Sequence, residues 1–119
     1  MAETRGASPV VPSMRTVGDT IVAALRGEID LHNSPQVRAA LLKYLEEGKP
    51  KKLILNLGEV PYMDSSAIAV LVEALQKMRK VGGKVFLTNL QPRVKGLLEI
   101  ARLDSIFGIS ATEEEALAK

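Results

Sequence analysis

The sequence predicts a single α/β domain in which a mixed β-sheet of four or five strands carries about four helices. Short apolar runs bounded by Gly and Pro, such as Leu53-Ile54-Leu55-Asn56-Leu57 and Val85-Phe86-Leu87, alternate with longer stretches of helical period. Apolar residues make up 46% of the 119 residues, yet Phe and Tyr contribute two each and Trp none, so the core must be largely aliphatic. That length suits one core and is too short for a substrate domain plus a cofactor domain.

Residues 1–9 mix Ala, Glu, Thr, Gly, Ser and Pro without periodicity and are expected to form a flexible start, with the domain occupying residues 10–119. A first strand is expected over 10–17, at a sheet edge because Pro12 lacks a ladder donor. Gly18-Asp19 turns the chain into a second strand, Thr20 to Arg26, and so short a connection makes the pair antiparallel. Ser34-Pro35 joins an N-cap residue to a proline suited to the first helical position. Val37, Ala40, Leu41, Tyr44 and Leu45 then recur at helical spacing until Gly48. The apolar run over 52–57 reads as a central strand covered on both faces.

A second helix is expected from Ser65 or Ser66 to Lys80. Its stripe is Ile68, Leu71, Leu75 and Met78, widened by Ala67, Val70 and Ala74. Gly82-Gly83 releases the chain into a strand over 84–88, and Pro92 opens a shorter helix carrying Val94, Leu97, Leu98 and Ile100. A last short strand is expected over 106–109, followed by a capping box in which Thr112 and Glu115 start the final helix. Helical connections between strands make those strands parallel, so their following loops gather at one edge, and Asp30 comes near the loop carrying Asp64 and Ser66.

Composition excludes several function classes. There is no cysteine, hence no disulfide, thiolate catalysis or cysteine-bound metal, as fits a reducing cytoplasm. The formal charge of +2 is too small to argue for nucleic-acid binding, and the lysine clusters at 49–52 and 77–84 lack interleaved aromatics. No leader and no apolar stretch of spanning length is read, so neither secretion nor membrane insertion is expected. The single histidine, His32, leaves no set of zinc ligands and no base for a serine nucleophile, and no Gly-x-Ser-x-Gly elbow or phosphate-binding glycine loop is present. No catalytic residue, metal or cofactor is therefore assigned.

The best site candidate is Val60-Pro61-Tyr62-Met63-Asp64-Ser65-Ser66, which delivers an acid and two hydroxyls to a helix start. Asp64 and Ser65 both suit capping, Ser65 being the better candidate for the cap hydroxyl. Ser66 would project from the first turn, where added phosphate meets free N–H groups. Capping, phosphoryl acceptance and a catalytic pocket all remain readings of this local pattern. Tyr62 and Met63 offer contact surface or simple burial, with Met63 expected to point inward.

Taken together, Gly27-Glu28-Ile29-Asp30, Leu53 to Leu57, Tyr62-Met63-Asp64-Ser65-Ser66 and Gly83-Lys84-Val85-Phe86-Leu87-Thr88-Asn89 give an order, over about residues 10–117, that resembles the STAS domain family, especially bacterial anti-sigma factor antagonists. The resemblance implies a phosphorylation site at Ser66 and a partner-binding surface of Asp30, Tyr62, Asp64, Ser65 and Ser66. It further implies a non-enzymatic switch that binds an anti-sigma factor with serine kinase activity and so releases sigma factor. ATP then belongs to the partner, and a serine phosphatase restores the binding form. The alternative implied is a STAS scaffold in a stressosome-like or membrane-transport assembly. Many relatives continue with glycine and leucine where this chain has Ala67 and Ile68.

Overall fold

A computed structural model describes residues 10–119 together with the short strand Glu3–Arg5. The strands are β1 (Glu3–Arg5), β2 (Ser13–Val17), β3 (Thr20–Arg26), β4 (Lys52–Glu59), β5 (Lys84–Thr88) and β6 (Gly108–Ser110), and the helices are α1 (Ser34–Gly48), α2 (Ser65–Lys80), α3 (Pro92–Ile100) and α4 (Glu113–Ala118). They form one mixed sheet in the order β1-β2-β3-β4-β5-β6. β1 to β3 pair antiparallel, while β3 to β6 pair parallel through the helical connections α1, α2 and α3. β2 to β6 are the five expected strands, and β1 extends the sheet by one. Glu3–Arg5 belong to the segment expected to be flexible; the remainder of residues 1–9 lies outside the described residues.

The period of two along each strand divides the interior. Ile21, Ala23, Leu25, Leu53, Leu55, Leu57, Val85 and Leu87 face the main core, where Val37, Leu41, Leu71, Leu75, Val94 and Leu98 from α1, α2 and α3 meet them. Val22, Ile54 and Phe86 face the other way and are met by Ala116 of α4. So β4 is covered on both faces, as its continuous apolar run requires.

Polar contacts fasten the small α4. Glu113 accepts from Arg15 at 2.6 Å and from Asn56 at 2.7 Å, and the Lys52 ammonium donates to the Ala116 carbonyl at 2.9 Å. Burial pushes the Glu113 carboxyl up, but the Asn56 and Arg15 hydrogen bonds outweigh it and hold the group below its ordinary value. Half of the expected capping box is present: Glu115 N–H donates to Thr112 Oγ1, but the Glu115 carboxylate accepts from the Ala111 N–H, one residue ahead of the N-cap, and not from Thr112.

Several local expectations are corrected. β2 starts at Ser13, because Pro12 has no donor; Val10 instead offers its carbonyl to Arg26 N–H at 2.8 Å from a bend. Nor is β2 an edge strand, since β1 pairs outside it. α1 is preceded by Asn33 as N-cap, not Ser34, and its left-handed exit residue is Lys49 at φ 42°, one beyond Gly48. The last strand is Gly108–Ser110, shifted along the chain because Phe107 is a buried core residue ahead of it.

Candidate functional site

The parallel pairing of β3 with β4 delivers both following loops to one edge of the sheet. There the chain adds a single bridge between Ile29 and Met63: Ile29 N–H donates to the Tyr62 carbonyl, and Asp64 N–H donates to the Ile29 carbonyl, each at 3.1 Å. Ile29 and Met63 are buried beneath it. Asp30 and Asp64 therefore follow directly on a shared backbone clamp, the juxtaposition expected from topology.

Asp64 is the N-cap of α2, with the extended backbone that capping requires. Its Oδ1 accepts the Ser66 N–H at 2.9 Å, the Ala67 N–H at 3.4 Å and the Ser66 hydroxyl at 2.5 Å. Its Oδ2 accepts the Leu31 N–H at 3.2 Å, across to the other loop. The Ser66 hydroxyl is the chief cause that holds the Asp64 carboxyl below its ordinary value; partial burial acts the other way, and the N–H groups of Ala67, Ser66 and Leu31 reinforce the lowering. Such a carboxylate is a good hydrogen-bond acceptor and a weak base. Ser65, expected as the cap hydroxyl, is instead the first helical residue and is exposed, because the carboxylate takes the capping role.

The facing loop is built around Asp30. Its Oδ1 accepts from His32 N–H at 2.9 Å and Asn33 N–H at 3.3 Å, while Asn33 Oδ1 accepts from Asp30 N–H and Asn33 Nδ2 donates to the Glu28 carbonyl, both at 2.8 Å. This folds the turn tightly and leaves Leu31 and His32 exposed at its tip. On the other flank, the Arg93 guanidinium from the start of α3 lies 4.5 Å from the centre of the Tyr62 ring. Met63 points inward, as expected, and Tyr62 is half-buried at the surface.

The structure thus brings Asp30, Tyr62, Asp64, Ser65 and Ser66 to one edge. Sequence reading did not single out Leu31, Asn33 and Arg93 there. An isolated Leu between Asp30 and His32 was the available signal for the first; the other two depend on pairings across loops that spacing cannot show. Ala67, the departure from many relatives, is buried in the main core, so its methyl group fills space beneath the site and is absent from the exposed face. The lysines expected to be solvated, Lys49, Lys51, Lys77 and Lys80, rim a groove of about 700 Å³ beside Pro50 and Val81, at the far end of α1 and α2.

Residues 11–116 match the model of the STAS domain. The chain belongs to the STAS domain family. Among its relatives, the anti-sigma-B factor antagonist of Bacillus subtilis is 36% identical over 90 residues, covering 76% of this chain and 81% of the relative. The anti-sigma-B factor antagonist of Listeria monocytogenes is 37% identical over 98 residues, covering 82% and 84%. Among solved structures, the anti-sigma factor antagonist SpoIIAA in its unphosphorylated form superposes with a TM-score of 0.68 at 24% identity, over 99% of this chain and 96% of that one. This last likeness speaks for the shared STAS fold. No group of three or more His, Cys, Asp or Glu side chains among the described residues is placed to hold a metal, and no helix there is long and apolar enough to cross a membrane.

Proposed function

We propose that the chain is an anti-sigma factor antagonist, a non-enzymatic switch whose binding to a kinase-type anti-sigma factor is controlled by phosphate on Ser66. The observation that carries this reading is the Ser66 hydroxyl, half-exposed at the second residue of α2, hydrogen-bonded to Asp64 in a chain of the STAS family. The nearest polar groups position that hydroxyl without activating it as a hydrolytic nucleophile. A helix start also tolerates an added phosphate.

The partner supplies ATP in this reading. The Ser66 Oγ–phosphorus bond forms as the bond from the γ-phosphorus to the bridging oxygen breaks; ADP leaves with that electron pair and the serine proton passes to the kinase. A serine phosphatase reverses the change by hydrolysis. Asp30, Tyr62, Asp64, Ser65 and Ser66 form the surface offered to the kinase, and the phosphate alters its charge and shape without refolding the domain. The setting is the cytoplasm, where sigma factor and kinase meet.

Reconstitution with the anti-sigma kinase of the same cell and ATP tests this. Mass spectrometry should place phosphate on Ser66, Ser66→Ala should bind yet resist modification, and Ser66→Asp should bind at least tenfold more weakly. Absence of phosphate at Ser66 together with unchanged binding of Ser66→Asp would sink the proposal.

A further inference from the structure

Leu31 is an exposed apolar side chain joined to the phosphoacceptor through one carboxylate. Its relative exposure is 73%, on a turn whose backbone is held by Asp30 and Asn33. The other large apolar side chains exposed among the described residues are Val81, Ile100 and Ile106. Val81 follows α2 at its far end, about 22 Å of helix from Ser66, and Ile100 and Ile106 lie at and beyond the far end of α3.

The two oxygens of Asp64 divide their partners between the loops. Oδ1 serves Ser66 and Ala67, whereas Oδ2 serves the Leu31 N–H. Phosphorylation removes the hydroxyl donor and places roughly 1.5 to 2 negative charges beside that carboxylate. Like charges at such a distance repel strongly, and the phosphate oxygens compete for the same helix N–H groups. A carboxylate that turns away from the phosphate takes the acceptor from the Leu31 N–H.

Asp30 and Asp64 place two carboxylates on this edge and Arg93 lies on its flank, so phosphate adds to a surface that is already charged. Leu31, tied to the same edge through Asp64, gives it an exposed apolar contact as well. We propose that Leu31 is the apolar anchor by which the chain holds the kinase-type anti-sigma factor, seated in an apolar socket of that partner, and that Asp64 is the link through which Ser66 phosphate dislodges it. The inference rests on the switch proposed above and names its regulation.

Two measurements test it. First, phosphoserine is installed at position 66 during synthesis, without any kinase, and amide NMR shifts and hydrogen exchange are compared with the unmodified protein. The Leu31 amide should shift and exchange at least tenfold faster; an unmoved Leu31 amide beside shifted Ser66 and Ala67 amides overturns the link. Secondly, affinity for the purified anti-sigma kinase is measured for Leu31→Ala and Ile100→Ala. Loss of the buried Leu31 methyl groups should weaken binding about tenfold or more, with Ile100→Ala unchanged. Unchanged affinity of Leu31→Ala, or an equal loss in both variants, overturns the anchor. Failure of the switch itself is separate: it appears as no phosphate at Ser66 in the kinase reaction, which the synthetic phosphoserine bypasses.

Discussion

Asp64 joins three functions that the sequence presents as separate residues. It caps α2, holds the Ser66 hydroxyl and ties down the Leu31 turn. Because these hydrogen bonds favour its charged form, its stabilising contribution is present above its ordinary value of 3.8 and is lost as pH falls below it through the lowered folded value. Urea unfolding at pH 6 and at pH 2.5 should therefore show a smaller acid-induced loss for Asp64→Asn than for the unmodified protein. Equal losses would remove Asp64 from the acid response. Ser66 is the complementary case: its place in the first turn of α2 leaves it half-exposed, with its hydroxyl already oriented by Asp64. Asp64 and Ser66 were legible in sequence as a cap and a projecting hydroxyl, but the choice of Asp64 over Ser65 as the cap was not. Both residue types cap well, and only the backbone angle at Asp64 decides between them.

At the level of elements, glycines show where local propensity and tertiary contact part company. Gly83 ends the α2 connection with its N–H on the Met78 carbonyl at 2.8 Å. A methyl group there would lie 2.6 Å from Met78 Cε and 3.0 Å from the Lys51 carbonyl oxygen. The methionine can swing aside, whereas the β4-side carbonyl cannot without moving backbone. Gly83→Ala should cost about 1–3 kcal/mol. Gly96 lies inside α3 with nothing within 4 Å of an added methyl, so Gly96→Ala should add about 0.5–1 kcal/mol through helix propensity. Chemical denaturation of the two variants checks both signs. Element positions followed from periodicity: α2 and β5 fall where the sequence places them, because an unbroken stripe and a Gly-bounded apolar run each have a single reading. The ends of β2 and β6 did not, because apolar residues adjoining a strand can be buried without joining its ladder. Val11 and Phe107 do this.

For the molecule as a whole, the sheet makes two unequal interiors. α1, α2 and α3 share one face, and the six-residue α4 covers part of the other. The larger interior should dominate stability. Leu55 is fully buried there, and Leu55→Ala should cost about 2–5 kcal/mol. Its urea midpoint should fall with an unchanged slope, since a domain with one continuous sheet exposes the same surface when it unfolds. The arrangement also separates the two ends of the helices. The Asp64–Ser66 hydrogen bonds lie where the strands end and α2 begins, while the lysine-rimmed groove lies where α1 and α2 finish.

The sequence alone determined the single α/β domain, the alternation of strands and helices and the candidacy of Asp64 and Ser66, because side-chain period, turn residues and capping chemistry are local. It also indicated that Asp30 would approach Asp64, since parallel strands send their exits to one edge. The tertiary structure decided what lies between those residues. The Ile29–Met63 bridge sets the two loops side by side, Asp64 reaches across to Leu31, and Ala67 turns into the core. Each is a contact between segments distant in sequence, fixed by strand register and by the limited space under the helix start, and neither quantity is written in residue spacing.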